Sequence, residues 1–345
     1  MKRLLVMGFV AVFIIASTIV LQAQAPQGQP GERRGGGQRD GGAQRGGGGQ
    51  REGGAQRGGD ARGGAQRGGA PQQAPMAIKM VKPGLYMVTN GGGNSTVRVT
   101  DQGVILVDTK NLGDQFYNEL MGQIKTVTNQ PIKYVFVTHV HQDHAGNIGK
   151  FVQAGAQVIT NDGLKRNLET GGADGKGYTS AAGKPAPPNV TYTKNKKIKL
   201  GNARAEAYHF GRAHTGGDTV VYFPDVKVVS LGDEFVAAQP NADYPMGGSL
   251  LEWSKVLTQV LKLDFDTAIP GHGNDPLTKA DVMAFQKKID TIGKKAVELA
   301  KKGTPKDQIR AQIQSQTGDL GTWQMTGVIN DQRLDAFYDE ISKAK

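Results

Sequence analysis

The sequence predicts an α/β fold in which two β-sheets pack together and helices cover their outer faces. Short strand-like runs recur from Ile78 to Leu231, and helical spacing appears between and after them. One of these runs is apolar throughout, as expected of a strand that is buried on both faces of its sheet. Two series of strands with accompanying helices require two sheets to bury their apolar faces.

The first series of strand-like runs leads into a helix and a buried strand. Glycine and asparagine punctuate these runs, which is typical of a β-meander. A helix is predicted over Phe116–Ile124 from its apolar spacing, and the continuous apolar run Tyr134–Val137 follows it. The strands predicted before this helix are Ile78–Val81, Leu85–Thr89, Thr96–Val99 and Val104–Val107.

The second series consists of short runs with turns between them, and helices come after it. An amphipathic helix is predicted from Leu250 to Leu261, and two or three more are predicted within 279–345, including Val282–Leu299 and Ile309–Ile313. The predicted strands are Val158–Ile159, Val190–Tyr192, Ile198–Leu200, Ala205–Tyr208, Val220–Phe223 and Val226–Leu231.

The N-terminus has the pattern of a targeting segment. Lys2 and Arg3 precede an apolar run that extends to about Leu21, and Ala23-Gln24-Ala25 follows it. Residues 1–25 are therefore predicted to be a secretory signal peptide, which places the mature protein in the periplasm or outside the cell. The alternative is an uncleaved membrane anchor, because the run is near the lower length limit for a spanning helix. After cleavage no stable membrane insertion is expected.

Residues 26–75 form a low-complexity linker that precedes a globular domain predicted over 76–345. The linker contains 19 of the 50 glycines and almost no large apolar side chains, so it is predicted to be disordered. The heptapeptide GGAQRGG occurs at 41–47, 53–59 and 63–69, and is interpreted as part of a flexible tether. Contact of these arginines with anionic envelope polymers is the alternative.

Charge and cysteine content exclude several classes of protein. The net charge is +11, but the first residues and the linker carry more than half of it, so no nucleic-acid partner is expected. Cysteine is absent, which excludes disulfides, acylation on cysteine and thiolate metal ligands. No oligomeric state is predicted.

Five of the six histidines occur in three short motifs that suit metal binding. Three of them, with one aspartate, lie in HVHQDH, immediately after the buried strand Tyr134–Val137. His214 and His272 each follow an apolar run and have glycine nearby, which permits close backbone approach. A strand end fixes the origin of such side chains, and nitrogen and oxygen donors suit Zn²⁺ and tolerate Fe or Mn. The alternative, a solvated histidine-rich loop, does not account for all three motifs.

Four motifs of this sequence, by their order and separations, resemble those of the metallo-β-lactamase fold superfamily. They are HVHQDH, HTGGD, LGDEF and PGHG. The resemblance extends from about Val81 to His272, and its first motif is highly specific. It implies a four-layer αββα sandwich and a metal-dependent hydrolase with two Zn²⁺ per chain. Asn94 and Asp108 also match common family positions and are expected to support the site. The implied ligands are His139, His141 and His214 for one metal, Asp143, His144 and His272 for the other, and Asp233 as the bridge.

Physical reasoning agrees with this ligand set. Two divalent ions roughly 3.5–4 Å apart repel each other, and two aspartates with a hydroxide supply the compensating charge. Water shared by such ions ionises near neutral pH and becomes a nucleophile for a carbonyl or phosphoryl group. Asp143 is expected to act catalytically as well, by orienting this nucleophile and later handling a proton.

The expected reaction is cleavage of an amide, ester or lactone, with β-lactam cleavage as the leading specific alternative. A mononuclear iron dioxygenase acting on persulfides, which the superfamily also contains, is a second possibility, and a binding module without chemistry is a third. The cleft walls are predicted at Phe235–Gly248 and Gly171–Pro188. His209 is not expected to be a ligand, and Trp253 and Trp323 are expected to lie in the core.

Overall fold

The computed structural model describes residues 74–172 and 186–344, which form two β-sheets packed face to face with helices on both outer faces. The predicted signal peptide and all but the last two residues of the predicted linker lie outside the described residues. Within the described ranges, no helix has the length and apolar character needed to cross a membrane.

Sheet 1 contains seven strands that follow one another in chain order. The first four pair antiparallel as the predicted meander, and from β4 to β7 each neighbouring pair is parallel. The strands are β1 Ala77–Lys82, β2 Leu85–Thr89, β3 Ser95–Thr100, β4 Gly103–Val107, β5 Ile132–Phe136, β6 Gln157–Asn161 and β7 Val190–Tyr192. The helices along this part of the chain are α1 Asp114–Lys125, α2 Gln142–Ala145, α3 Ile148–Gln153 and α4 Asp162–Thr170.

Sheet 2 contains six strands in the order β13-β12-β11-β10-β9-β8. Its strands are β8 Asn195–Leu200, β9 Ala203–Tyr208, β10 Val220–Phe223, β11 Val228–Val236, β12 Thr267–His272 and β13 Leu277–Thr278. The helices of this half are α5 Leu250–Val260, α6 Lys279–Lys301, α7 Lys306–Gln316, α8 Met325–Val328 and α9 Asp331–Lys343. Among the described strands of this sheet, only β11 and β12 pair parallel, and they do so next to the site described below.

Three apolar layers hold the sandwich together, and they confirm the predicted α/β fold. Between the sheets, side chains such as Phe136 of sheet 1 and Phe223 of sheet 2 share one buried cluster. A second cluster joins sheet 1 to its helices through Leu120 and Phe151. The third joins sheet 2 to the C-terminal helices and includes Trp253 and Trp323, which are core residues as expected.

The structure differs from the sequence prediction mainly where polar residues are buried. The strand predicted as Val226–Leu231 continues to Val236, because parallel pairing with β12 holds its polar end in an extended conformation. Helix α4 was not predicted, since it buries only Leu164 and Leu168 and depends on an Asn161 cap. In the C-terminal region the described residues contain four helices rather than two or three, the extra one being the single turn α8.

Candidate metal centre

The seven predicted site residues lie on strands, or on the segments that connect them, at one edge of the sandwich. HVHQDH follows β5, and Asp108 follows the adjacent parallel strand β4. In sheet 2, Asp233 lies on β11 and His272 ends β12. The backbone N–H of Asn94, in the turn before β3, donates to the carbonyl of Gly271 at 2.7 Å, which holds the two sheets together at this edge.

The side chains form two adjoining groups of metal-ligand type. Within each group, one ligand atom from every member lies within 4.8 Å of the others. The first group is His139, His141, His214 and Asp233, and the second is Asp143, His144 and His272. All seven residues that the sequence singled out are therefore brought together.

Asp233 faces both groups with different oxygens. Its Oδ2 lies 3.9 Å from Nε2 of His139 and 3.5 Å from Nε2 of His214. Its Oδ1 lies 3.2 Å from Nε2 of His144 and 3.5 Å from Nε2 of His272. This is the arrangement expected of a carboxylate between two cations.

In the first group, two imidazole nitrogens face each other, and when both rings are neutral their partners leave no proton between them. Nδ1 of His214 donates to the carbonyl of Asn241 at 2.7 Å, so its Nε2 carries a lone pair. Nε2 of His141 donates to the Asp243 carboxylate at 2.8 Å, so its Nδ1 carries a lone pair as well. These two nitrogens are 2.8 Å apart. Lone pairs at this distance repel unless a cation lies beside them, so the donors fit a metal ion.

The surroundings of His139 also fit a metal ion. Its Nε2 is buried and, within the described part of the chain, has no hydrogen-bond partner. A buried polar atom without a partner is costly, so it requires an explanation. Burial lowers the pKa of His139 well below its usual value, and the neighbouring imidazoles add to the effect. The ring is therefore neutral, which is the form that binds metals.

His144, in the second group, is oriented by Asp108. Nδ1 of His144 donates to the Asp108 carboxylate at 2.8 Å, and the same carboxylate accepts hydrogen bonds from the backbone N–H and hydroxyl of Thr138. Nε2 of His144 then faces Nε2 of His272 at 3.3 Å. Asp108 thus selects which nitrogen of His144 points into the site, as carboxylates behind metal-binding histidines do.

The electrostatic field of the site favours cations. Burial alone would lower the pKa of His144, but the carboxylates of Asp233, Asp143 and Asp108 outweigh it and raise that pKa well above its usual value. Burial likewise opposes ionisation of Asp233, yet the nearby histidines hold its pKa below the usual range. The Asp233 carboxylate is therefore ionised and places negative charge between the two donor groups.

Two glycines allow the ligands to come this close. A Cβ atom on Gly93 would lie 2.1 Å from Cε1 of His144, and one on Gly271 would lie 2.0 Å from Oδ1 of Asp233. Both distances are far shorter than any non-bonded contact permits. Only glycine therefore fits at these two positions.

Comparison with known proteins decides the family. A family profile described as the Metallo-beta-lactamase superfamily matches residues 88–272, just over half of the chain. The chain belongs to the metallo-β-lactamase superfamily. It is therefore a metal-dependent hydrolase by family, in agreement with the resemblance found in its motifs.

Individual members of the metallo-β-lactamase superfamily are similar to this chain at modest identity. Metallo-beta-lactamase IND-1 of Chryseobacterium indologenes is 31% identical over 55% of this chain and 75% of its own length. Metallo-beta-lactamase type 2 of Elizabethkingia meningoseptica is 27% identical over 47% of this chain and 63% of its own. The solved metallo-beta-lactamase from Pontibacter korlensis aligns with a TM-score of 0.52 at 19% identity, covering 61% of this chain and 99% of that one. The solved structure supports the fold alone.

Asp243 is a site residue of this superfamily member that the sequence analysis missed. It lies in the predicted wall Phe235–Gly248, where no motif or periodicity distinguishes it. Its contact with His141 depends on the folded loop, in which its backbone N–H donates to the carbonyl of His214 at 2.7 Å. The other predicted wall, Gly171–Pro188, lies largely outside the described residues, and His209 belongs to neither donor group.

Proposed function

We propose that this chain is a hydrolase that binds two zinc ions and cleaves an amide, ester or lactone bond in a small molecule. The observation that supports this most directly is that Asp233 offers one carboxylate oxygen to each donor group. Two adjoining groups favour two ions, and a shared carboxylate offsets their repulsion. Export to the periplasm or medium remains a prediction from residues 1–25.

The proposed ligands are those implied by the motifs. His139, His141 and His214 would hold one ion, Asp143, His144 and His272 the other, and Asp233 both. Imidazole and carboxylate donors suit Zn²⁺, and they also accept Fe or Mn. When bound, the ions would polarise the scissile carbonyl and lower the pKa of a water molecule.

The open side of the site indicates where a substrate would approach. The side chains of Asp143 and His272 are 31% and 39% exposed, whereas those of His139 and His144 are almost completely buried. The histidines His144 and His272 keep the pKa of Asp143 below its usual range even though burial opposes them. An ionised Asp143 can accept a hydrogen bond from the attacking water and orient it toward a substrate on this side.

A β-lactam is the specific substrate that we favour among amides. The relatives named above are metallo-beta-lactamases. A cleft of about 520 Å³ beside Met246 and Gly247 includes Arg166 and Arg212 among its lining residues. Because β-lactam antibiotics carry a carboxylate, these positive charges would attract them, although Arg212 also pairs with Glu252.

Metal content and turnover, measured on one preparation of the full chain, test the proposal. We expect about two zinc ions per chain and hydrolysis of at least one class in a panel of β-lactams, esters, lactones, thioesters and phosphodiesters. One iron per chain with oxygen consumption would favour the persulfide dioxygenase instead. A fully loaded protein that is inert toward the whole panel would count against any hydrolase.

Substitution of single ligands tests the site itself. Asp143→Asn and His141→Ala should each lower kcat/KM by about 10²-fold or more, since each removes a donor or the orienting carboxylate. The matched controls are Asp114→Asn, on the surface, and His209→Ala, outside both donor groups. Both controls should keep nearly full activity. Undiminished turnover in either site variant would contradict the cluster.

A further inference from the structure

The last helix of the chain contacts the loop that supports the first donor group. This helix, α9, lies beyond residues 88–272, which the family profile matches. We propose that Glu340 on α9 is a positioning residue for His141 and His214, acting through the 241–249 loop. The proposal rests on the proposed function, because it assumes that these histidines bind zinc.

The 241–249 loop holds both imidazoles from behind. The carbonyl of Asn241 accepts a hydrogen bond from Nδ1 of His214, and the carboxylate of Asp243 accepts one from Nε2 of His141. The backbone N–H of Ser249 donates to the carbonyl of Ala213 at 2.9 Å, one residue before His214. A shift of this loop would therefore turn both rings.

A single carboxylate on α9 fixes the loop at two points. The hydroxyl of Tyr244 donates to Oε2 of Glu340 at 2.6 Å, and the hydroxyl of Ser249 donates to Oε1. Ser249 also caps helix α5 by accepting from the N–H of Glu252 at 3.0 Å. Glu340 thus links Tyr244 and Ser249, at the two ends of 244–249, to each other and to α9.

The same face of α9 makes two further interactions with the loop. Arg333, Phe337 and Glu340 are spaced so that they lie on one face of the helix. The ring of Phe337 lies 6.5 Å from that of Tyr244, and the positive charge of Arg333 acts on the Asp243 carboxylate. Apolar contact, hydrogen bonding and charge therefore all join α9 to residues directly behind the donor group.

Loss of the Glu340 carboxylate should loosen this support. Two partly buried hydroxyls would lose their acceptor, and groups left unsatisfied in this way move or admit water. Partners behind metal-binding histidines typically account for 10–100-fold in metal affinity. Glu340 contacts the loop rather than the histidines themselves, so we expect a change in affinity near the lower end of that range.

Zinc affinity, measured by competition with a chromophoric chelator on the full chain, tests the proposal without using activity. Glu340→Ala should weaken the binding of one of the two zinc ions by about tenfold. Glu340→Gln should restore nearly normal affinity, because the amide can accept from one hydroxyl and donate to the other. Asp339→Ala is the matched control, since its carboxylate is exposed and pairs with Lys343 on the same helix.

A second control separates positioning from general loss of stability. Ile313→Val trims a buried side chain in the same helical layer and should cost about 1 kcal/mol of stability without changing zinc affinity. Should Glu340→Ala fail to fold, Tyr244→Phe removes one of the two hydrogen bonds and should weaken the same zinc ion several-fold.

The possible outcomes distinguish this inference from the proposed function. Equal zinc affinity in Glu340→Ala, or in Tyr244→Phe if that variant is needed, would overturn the role of Glu340 while leaving the zinc site intact. An equal loss in Ile313→Val would also overturn it, because stability alone would then explain the effect. Failure of the wild-type chain to bind zinc would refute the proposed function and this inference with it.

Discussion

Three histidines of the centre use one ring nitrogen to hold their orientation and direct the other toward the donor groups. The fixed partners are the Asp108 carboxylate for His144, the Asn241 carbonyl for His214 and the Asp243 carboxylate for His141. Each partner fixes which ring nitrogen points into the site, so the donor nitrogens converge before any ion binds. This preorganisation requires the burial of polar groups, each of which needs a hydrogen-bonding complement.

Lys110 is the most unusual of these buried polar groups. Its ammonium group is completely buried and donates to the carbonyls of Val88 and Gly93 at 2.7 Å, directly beneath the turn that contacts His144. Burial lowers its pKa to about 7, although the carboxylates of Asp108 and Asp143 partly counteract the shift. Lys110 therefore supports the Gly93 turn at a cost in stability that depends on pH.

The sign of that dependence follows from the lowered pKa. Between about pH 7 and the normal lysine pKa, the unfolded chain holds a proton on this side chain that the folded chain has released. Stability should therefore rise with pH in this window, by up to about 1.4 kcal/mol per pH unit. Comparison of urea unfolding of wild type and Lys110→Met from pH 7 to 9 isolates this contribution, and a constant difference between them would refute it.

Among the structural elements, the parallel pair β11 and β12 determines where the shared carboxylate lies. Their register shifts at Gly232, and Gly271 near the end of β12 lies against Asp233. A Cβ atom on Gly271 would meet Oδ1 of Asp233 at 2.0 Å and the backbone carbon of Gly232 at 2.5 Å. The second contact is with backbone, so a small side-chain rotation cannot relieve it.

Gly271→Ala should therefore damage both fold and site. We expect a loss of about 1–3 kcal/mol in the free energy of unfolding, as for other overpacked positions, together with weaker zinc binding. Gly122→Ala in helix α1 is the control, because a Cβ atom there meets nothing within 4 Å and should stabilise the helix. Denaturant unfolding of the two variants provides the measurement. A Gly271→Ala protein as stable as wild type would show that the end of β12 can adjust.

Sequence reasoning located the elements whose side chains follow a clear periodicity, and it located the ligands that lie in compact motifs. The strand Tyr134–Val137 with the adjoining HVHQDH is an example of both. It did not anticipate the polar end of β11, because glycine and acidic residues are poor strand formers outside this tertiary setting. Asp243 and Glu340 belong to no motif or periodic pattern in the sequence. They lie 97 positions apart, and only the folded chain brings Glu340 into contact with the loop that contains Asp243.

At the scale of the whole molecule, each donor group draws residues from both halves of the sandwich. His139 and His141 follow β5 of sheet 1, whereas His214 lies between β9 and β10 of sheet 2 and Asp233 lies on β11. In the second group, Asp143 and His144 come from the first half and His272 from the second. Each bound ion would therefore link the two sheets at their shared edge, and metal binding should contribute to the stability of the entire fold.

Removal of the metal should consequently affect stability as well as activity. An ion present at 100 times its dissociation constant adds about 2.7 kcal/mol to the folded state, which for a domain of this size raises Tm by about 5–10 °C. Treatment with a chelator should lower Tm by that amount and abolish turnover, and added Zn²⁺ should restore both. His141→Ala should show a smaller zinc-dependent shift in Tm, because the first donor group has lost one of its ligands. Calorimetry on the same samples measures these shifts, and an unchanged Tm after complete demetallation would mean that the sheets are held together without the ions.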